Sequence, residues 1–173
     1  MEIHRFEKVW VAASILLIVA FISTVAYGAV GQGIKMVDES GGQVDPATIK
    51  NSNFDQTDNF RTPGVYRQGE NRFAVYIVAK QFLFQPGSTE PIRLPAGSTV
   101  TLYVTSGDVI HGFQIAGTNV NTMVIPGQVA EITVKFEEAK TYGIVCHEYC
   151  GAGHHTMEGK ITIVPASQYE GSA

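Results

Sequence analysis

The chain has 173 residues, of which 45% are apolar and 16% charged, with a net charge of -4. That length suits one membrane segment and one modest domain, and the composition excludes a disordered chain. No basic patch occurs, which excludes nucleic acid as a partner. Arg5 and Lys8 balance Glu2 and Glu7, so the acidity falls entirely on the residues beyond 30.

Residues 9–30, VWVAASILLIVAFISTVAYGAV, hold no charge over 22 positions. At about 1.5 Å per residue, such a helix crosses a hydrocarbon core of roughly 30 Å. A signal peptide's apolar region runs only about 7–15 residues. The segment therefore reads as an uncleaved anchor, although Ala26, Gly28 and Ala29 would also suit cleavage. Arg5 and Lys8 precede it, Trp10 and Tyr27 stand near its ends, and Lys35, Asp38 and Glu39 follow. Positive charge is retained in the cytoplasm, which predicts a single-pass cell-membrane protein with its N-terminus inside and the rest outside.

We take residues 1–35 as the transmembrane anchor. Residues 36–70, rich in Gly, Asn, Asp, Gln, Ser and Thr, read as a linker with little apolar periodicity. From 71 to 165 the pattern has period two. Phe73, Val75 and Ile77 alternate with smaller or polar residues, as do Val100, Leu102 and Val104, then Ile132, Val134 and Phe136, then Ile161 and Ile163. Such alternation marks half-buried strands. Turn residues at 85–87, 95–97, 126–127 and 151–153 punctuate them. The expectation is a mainly β sandwich or barrel, followed by a short tail over 166–173.

The chemistry is concentrated in Cys146-His147-Glu148-Tyr149-Cys150-Gly151-Ala152-Gly153-His154-His155-Thr156-Met157. The spacing is Cys-x3-Cys-x3-His-x2-Met. Two cysteines four apart suit either a disulfide or a pair of metal thiolates. Thiolate and thioether are soft ligands that suit copper in its lower oxidation state, and imidazole suits both states. Methionine argues against zinc, calcium and magnesium in this loop. A mononuclear blue-copper site uses one Cys, two His and a weak Met; the extra cysteine here would let two thiolates bridge two coppers. His111, in Ser106-Gly107-Asp108-Val109-Ile110-His111-Gly112-Phe113, is the candidate second imidazole. Asp108 could shape a turn or orient His111. His147 and His155 stand at offsets that suit solvent or a supporting role.

The run CHEYCGAGHHTM resembles the CuA loop of cytochrome c oxidase subunit II, and SGDVIHGF resembles that family's earlier histidine segment. The resemblance covers nearly the whole chain except 31–70. It implies a cupredoxin-like Greek-key barrel behind one N-terminal transmembrane helix. It also implies a binuclear copper centre, with Cys146 and Cys150 bridging. His111 and Met157 would complete one copper, and His154 and the backbone carbonyl of Glu148 the other. In many members the matching glutamate side chain also meets magnesium at the subunit I interface, which makes Glu148 a candidate for that role. The implied partners are a haem-bearing subunit I and cytochrome c or a similar periplasmic donor. The implied function is electron transfer to haem for reduction of oxygen to water, with no oxygen-reducing site in this chain.

Two traits depart from most members. One membrane helix replaces two, and the tryptophan-rich stretch is here Lys80-Gln81-Phe82-Leu83-Phe84-Gln85-Pro86, without Trp. Both resemble the short subunit II of ba3-type (B-family) prokaryotic oxidases. Phe82 and Phe84 are the candidates for an electron-entry surface, with core packing expected for at least one of them. The competing functions are a CuA subunit of a nitric oxide reductase, a membrane-anchored copper chaperone or sensor, and a quinol-oxidase relative without copper. The length excludes a nitrous oxide reductase, which would add a large catalytic domain.

Overall fold

The computed structural model describes residues 4–31, 42–46, 60 and 62–171. They fall in two compact units, divided after Met36. The described residues of the first form one helix, α1 (Arg5–Gly31). It is 27 residues long, or about 40 Å at 1.5 Å per residue. Apolar side chains such as Leu16, Leu17, Phe21 and Ile22 are exposed around it, the pattern of a helix that water cannot solvate well. Ser23 and Thr24 return their hydroxyls to the carbonyls of Val19 and Phe21, so neither presents an unpaired donor. Among the described residues, α1 alone is long and apolar enough to cross a membrane.

Among the described residues, the second unit holds ten strands. They are β1 (Gly64–Gly69), β2 (Arg72–Lys80), β3 (Leu83–Gln85), β4 (Ile92–Pro95), β5 (Ser98–Ser106), β6 (His111–Ile115), β7 (Asn121–Val124), β8 (Ala130–Phe136), β9 (Thr141–Val145) and β10 (Glu158–Val164). One sheet runs β1-β2-β5-β8, with β3 paired to the end of β2; the other runs β4-β10-β9-β6-β7. The β2/β5 and β4/β10 pairs are parallel and the rest antiparallel. Phe73, Val75, Ile77, Val100, Leu102 and Val104 of the first sheet form one core with Phe113, Ile115, Ile144, Ile161 and Ile163 of the second. The period-two pattern thus marks the inward faces.

Two expectations are corrected. The segment 36–70, read as a linker, contains β1, paired along β2 from Gly64↔Tyr76 to Gly69↔Arg72. It also supplies Val44 and Phe60, which join Val78 and Val129 in a second apolar cluster with Tyr76 and Tyr103. Val44 N–H reaches Gly127 O and Val129 N–H reaches Gly42 O, at 3.1 Å each, fixing that edge. Polar residues around single buried anchors hid these contacts from a periodicity search. For the same reason β2 is buried on both faces from Phe73 to Ala79, with only Tyr76 partly exposed, rather than half-buried as its alternation suggested.

The fold also sets where the candidate ligands lie. Cys146 follows β9 directly and Met157 precedes β10 directly. The β9/β10 ladder runs to Glu158↔Val145, and Cys146 N–H then bonds Met157 O at 3.2 Å. The twelve-residue segment between is a loop tied shut at its base. His111 opens β6, the strand beside β9.

Candidate metal centre

The loop gathers its donor atoms through its own backbone. His154 N–H bonds Gly151 O at 3.0 Å, and Met157 N–H bonds His154 O at 3.1 Å. This single 3-10 turn, His154–Thr156, turns His154 and Met157 back toward the cysteines. Thr156 Oγ1 donates to Gly153 O at 2.8 Å and secures it.

The six sequence-predicted residues come together. Cys146 Sγ lies 3.9 Å from Cys150 Sγ, 4.0 Å from His111 Nδ1 and 3.3 Å from Glu148 O. Cys150 Sγ lies 3.6 Å from both His154 Nδ1 and Met157 Sδ. His111, Cys146 and Cys150 form a group with ligand atoms within 4.8 Å of one another, and all three are buried. Two donors bonded to one ion at about 2.0–2.3 Å in tetrahedral geometry stand about 3.6 Å apart. The observed separations match that spacing. A disulfide needs sulfurs about 2.05 Å apart, so these are two free thiols. The donor set, two thiols, two imidazoles, a thioether and a carbonyl, fits copper.

Electrostatics around the thiols disfavour a bare thiolate. Burial, followed by repulsion from Cys146, pushes the Cys150 thiol up to about 11. A thiol raised that far keeps its proton at neutral pH, so a metal must displace it.

His111 is held by Asp108. It is fully buried, and its Nε2 stands 2.8 Å from Asp108 Oδ1. Donating the Nε2 proton there leaves Nδ1 free to ligate toward Cys146. Asp108 also accepts the N–H of Gln81 at 2.8 Å and of Val109 at 2.7 Å. Buried Ser106 accepts Asp108 N–H at 3.2 Å and donates to the Val109 carbonyl. Burial alone would raise the Asp108 pKa; the hydrogen bonds from His111, Gln81 and Val109 outweigh it and hold the carboxyl below its usual value. Of the two roles open to Asp108 in the sequence, the structure supports orientation of the histidine.

Other candidates separate. His155 is exposed. His147 lies over Gly112, where a Cβ would stand 2.6 Å from its ring, and its Nδ1 is 3.8 Å from Glu148 Oε1. Phe84 is fully buried, edge-on to Phe113 at 5.4 Å, so it is core and not an entry surface. Phe82 is half-buried against the loop: a Cβ on Gly153 would stand 2.6–2.8 Å from its ring. Spacing gave no signal for Gln81, because its partners Asp108 and Cys150 lie in other segments.

A β-sandwich with a Cys-His-Met loop at one end defines a cupredoxin-like copper domain. The family model for the periplasmic domain of cytochrome C oxidase subunit II matches residues 66–164. A cytochrome c oxidase subunit 2 of Thermus thermophilus is 35% identical over 93% of this chain and 93% of its own. A chain in the cryo-EM structure of a heme-copper terminal oxidase dimer superposes with TM-score 0.73 at 35% identity, over 92% of this chain and 99% of its own. The periplasmic domain of subunit II of cytochrome oxidase from Bradyrhizobium japonicum, at 21% identity and TM-score 0.50, covers 55% of this chain and 86% of its own, and shares the fold. The chain belongs to the cytochrome c oxidase subunit II family, the electron-transfer subunits of terminal oxidases. It works with subunit I in a haem-copper oxidase complex.

Proposed function

We propose that this chain carries a binuclear CuA centre with the ligands His111, Cys146, Cys150, His154, Met157 and the carbonyl of Glu148. The observation that carries the reading is the convergence of these donors at 3.3–4.0 Å separations around two free, buried thiols. Cys146 and Cys150 would be shared by both coppers, with His111 and Met157 available to one and His154 and Glu148 O to the other. When bound, copper supplies one-electron redox chemistry between a donor and the haem of subunit I.

The residues do the positioning. The closed loop base holds Cys146 and Met157 together, Asp108 fixes the His111 ring, and the buried setting limits water. A ligand cage that cannot move reorganises little on electron arrival. Cytochrome c or a similar donor approaches near Phe82, whose ring covers Gly151 and Gly153. The Glu148 side chain is partly exposed and free to meet magnesium at the subunit I interface. The anchor spans 1–35, with its N-terminus cytoplasmic, and the copper domain stands on the outer face of the cell membrane. β1 moves the domain's start ahead of 71, and 166–173 remains the tail.

The test is copper stoichiometry with an EPR spectrum. Two coppers sharing one unpaired electron are expected. One copper with a mononuclear spectrum, or none after loading under reducing conditions, would overturn the reading.

A further inference from the structure

Both ends of the centre meet at a residue that neither ligand motif contains. Gln81 stands at the tip of the hairpin between β2 and β3. Its side-chain Nε2 donates to the carbonyl of Cys150, 69 residues away. Its backbone N–H donates to Asp108 Oδ2 at 2.8 Å, and Asp108 Oδ1 holds His111 Nε2 at 2.8 Å. A continuous chain of hydrogen bonds thus runs from one bridging cysteine to the histidine on β6.

The tip is also seated in the loop. Gly151 has φ +131°, and a Cβ there would stand 2.7 Å from Gln81 Nε2 and 3.2 Å from the Phe82 ring. A side chain at 151 or 153 would push the tip off. The close seating brings the amide of Gln81 within reach of the Cys150 carbonyl.

We propose that Gln81 is a positioning residue of the copper centre, whose side-chain amide fixes the Cys150 end of the ligand loop relative to His111. The proposal rests on the reading that Cys146, Cys150 and His111 hold copper. The backbone of Cys150 sets the direction of its sulfur. Pinning its carbonyl to the same residue that restrains Asp108 couples the two ligand segments directly, without passing through the sheet. Cys146 is fixed separately, by its N–H to Met157 O, so loss of the Gln81 bond acts on Cys150 first.

Gln81→Glu keeps the side chain's size, removes its donor and leaves the backbone bond to Asp108 in place. The full-length chain in detergent is loaded with copper, and two quantities are read. One is the paramagnetically shifted NMR signals of the cysteine β-protons. The other is the rate of copper transfer to a Cu(I) chelator. The expected result is a shift of the Cys150 signals with those of Cys146 nearly unchanged, and copper loss faster by about tenfold or more. Wild-type signals and wild-type copper loss would overturn the proposal, as would lower thermal stability with unmoved cysteine signals, which marks a merely structural contact. Should Gln81→Glu not accumulate folded, Gln81→Met carries the same test without added charge. A wild-type chain that takes up no copper would instead overturn the centre. The bridge is then read in the copper-free chain from amide exchange at His154, whose N–H bonds Gly151 O at 3.0 Å and which is expected to exchange faster in Gln81→Glu; unchanged exchange overturns it.

Discussion

At the residue scale, function depends on side chains whose chemistry is specific and whose supports are few. Cys150→Ser removes one of the two thiolates proposed to bridge, and the expected outcome is loss of the two-copper EPR spectrum. Asp108→Ala acts through its neighbour. It removes the acceptor for His111 Nε2 and leaves a buried donor unpaired, which costs about 1–3 kcal/mol. Copper affinity should fall about 10–100-fold, measured by competition with a chelator; an unchanged affinity would show that the ring is held by packing alone. Phe84 and Phe82 make a contrast two positions apart. Phe84→Ala empties a fully buried site and should cost about 3–5 kcal/mol in equilibrium unfolding. Phe82→Ala removes a half-buried ring, and its stability loss should be clearly smaller.

At the element scale, the hairpin tip and the copper loop hold each other. Gly153→Ala places a Cβ at 2.6 Å from the Phe82 ring, an overlap that typically costs about 1–3 kcal/mol. Combining it with Phe82→Ala should recover most of that loss, because the two sites are in contact and their effects are not additive. Additive losses in thermal unfolding would mean that the clash is relieved elsewhere. Gly112→Ala meets the ring of His147 from its Cγ outward, at 2.6–2.7 Å, so the whole side chain must shift and a loss of similar size is expected.

At the scale of the whole molecule, copper, protons and stability are linked. The Cys150 thiol, raised to about 11 by burial and by Cys146, is protonated at neutral pH and must lose its proton on binding metal. Copper uptake should therefore release protons and weaken as pH falls. Titration calorimetry in buffers of different ionisation enthalpy measures that release, and proton-free binding would contradict the thiolate reading. Since copper binds the folded chain, its removal should also lower the unfolding temperature. A copper concentration a hundred times the Kd corresponds to about 2.7 kcal/mol.

The sequence alone determined the apolar anchor segment, the inward faces of β5, β8 and β10, the turn positions and the identity of the six candidate ligands. Each of these is a local signal: an uncharged run, an alternation, or a fixed spacing within one short segment. What the tertiary structure decided is non-local. It alone placed β1 and Val44 in the folded unit, buried β2 on both faces, and sent Phe84 to the core while Phe82 covers the copper loop. It also joined Gln81, Asp108 and His111. These outcomes depend on which segments pack against one another, and a hydrogen bond spanning 69 residues leaves no periodicity in the chain that forms it.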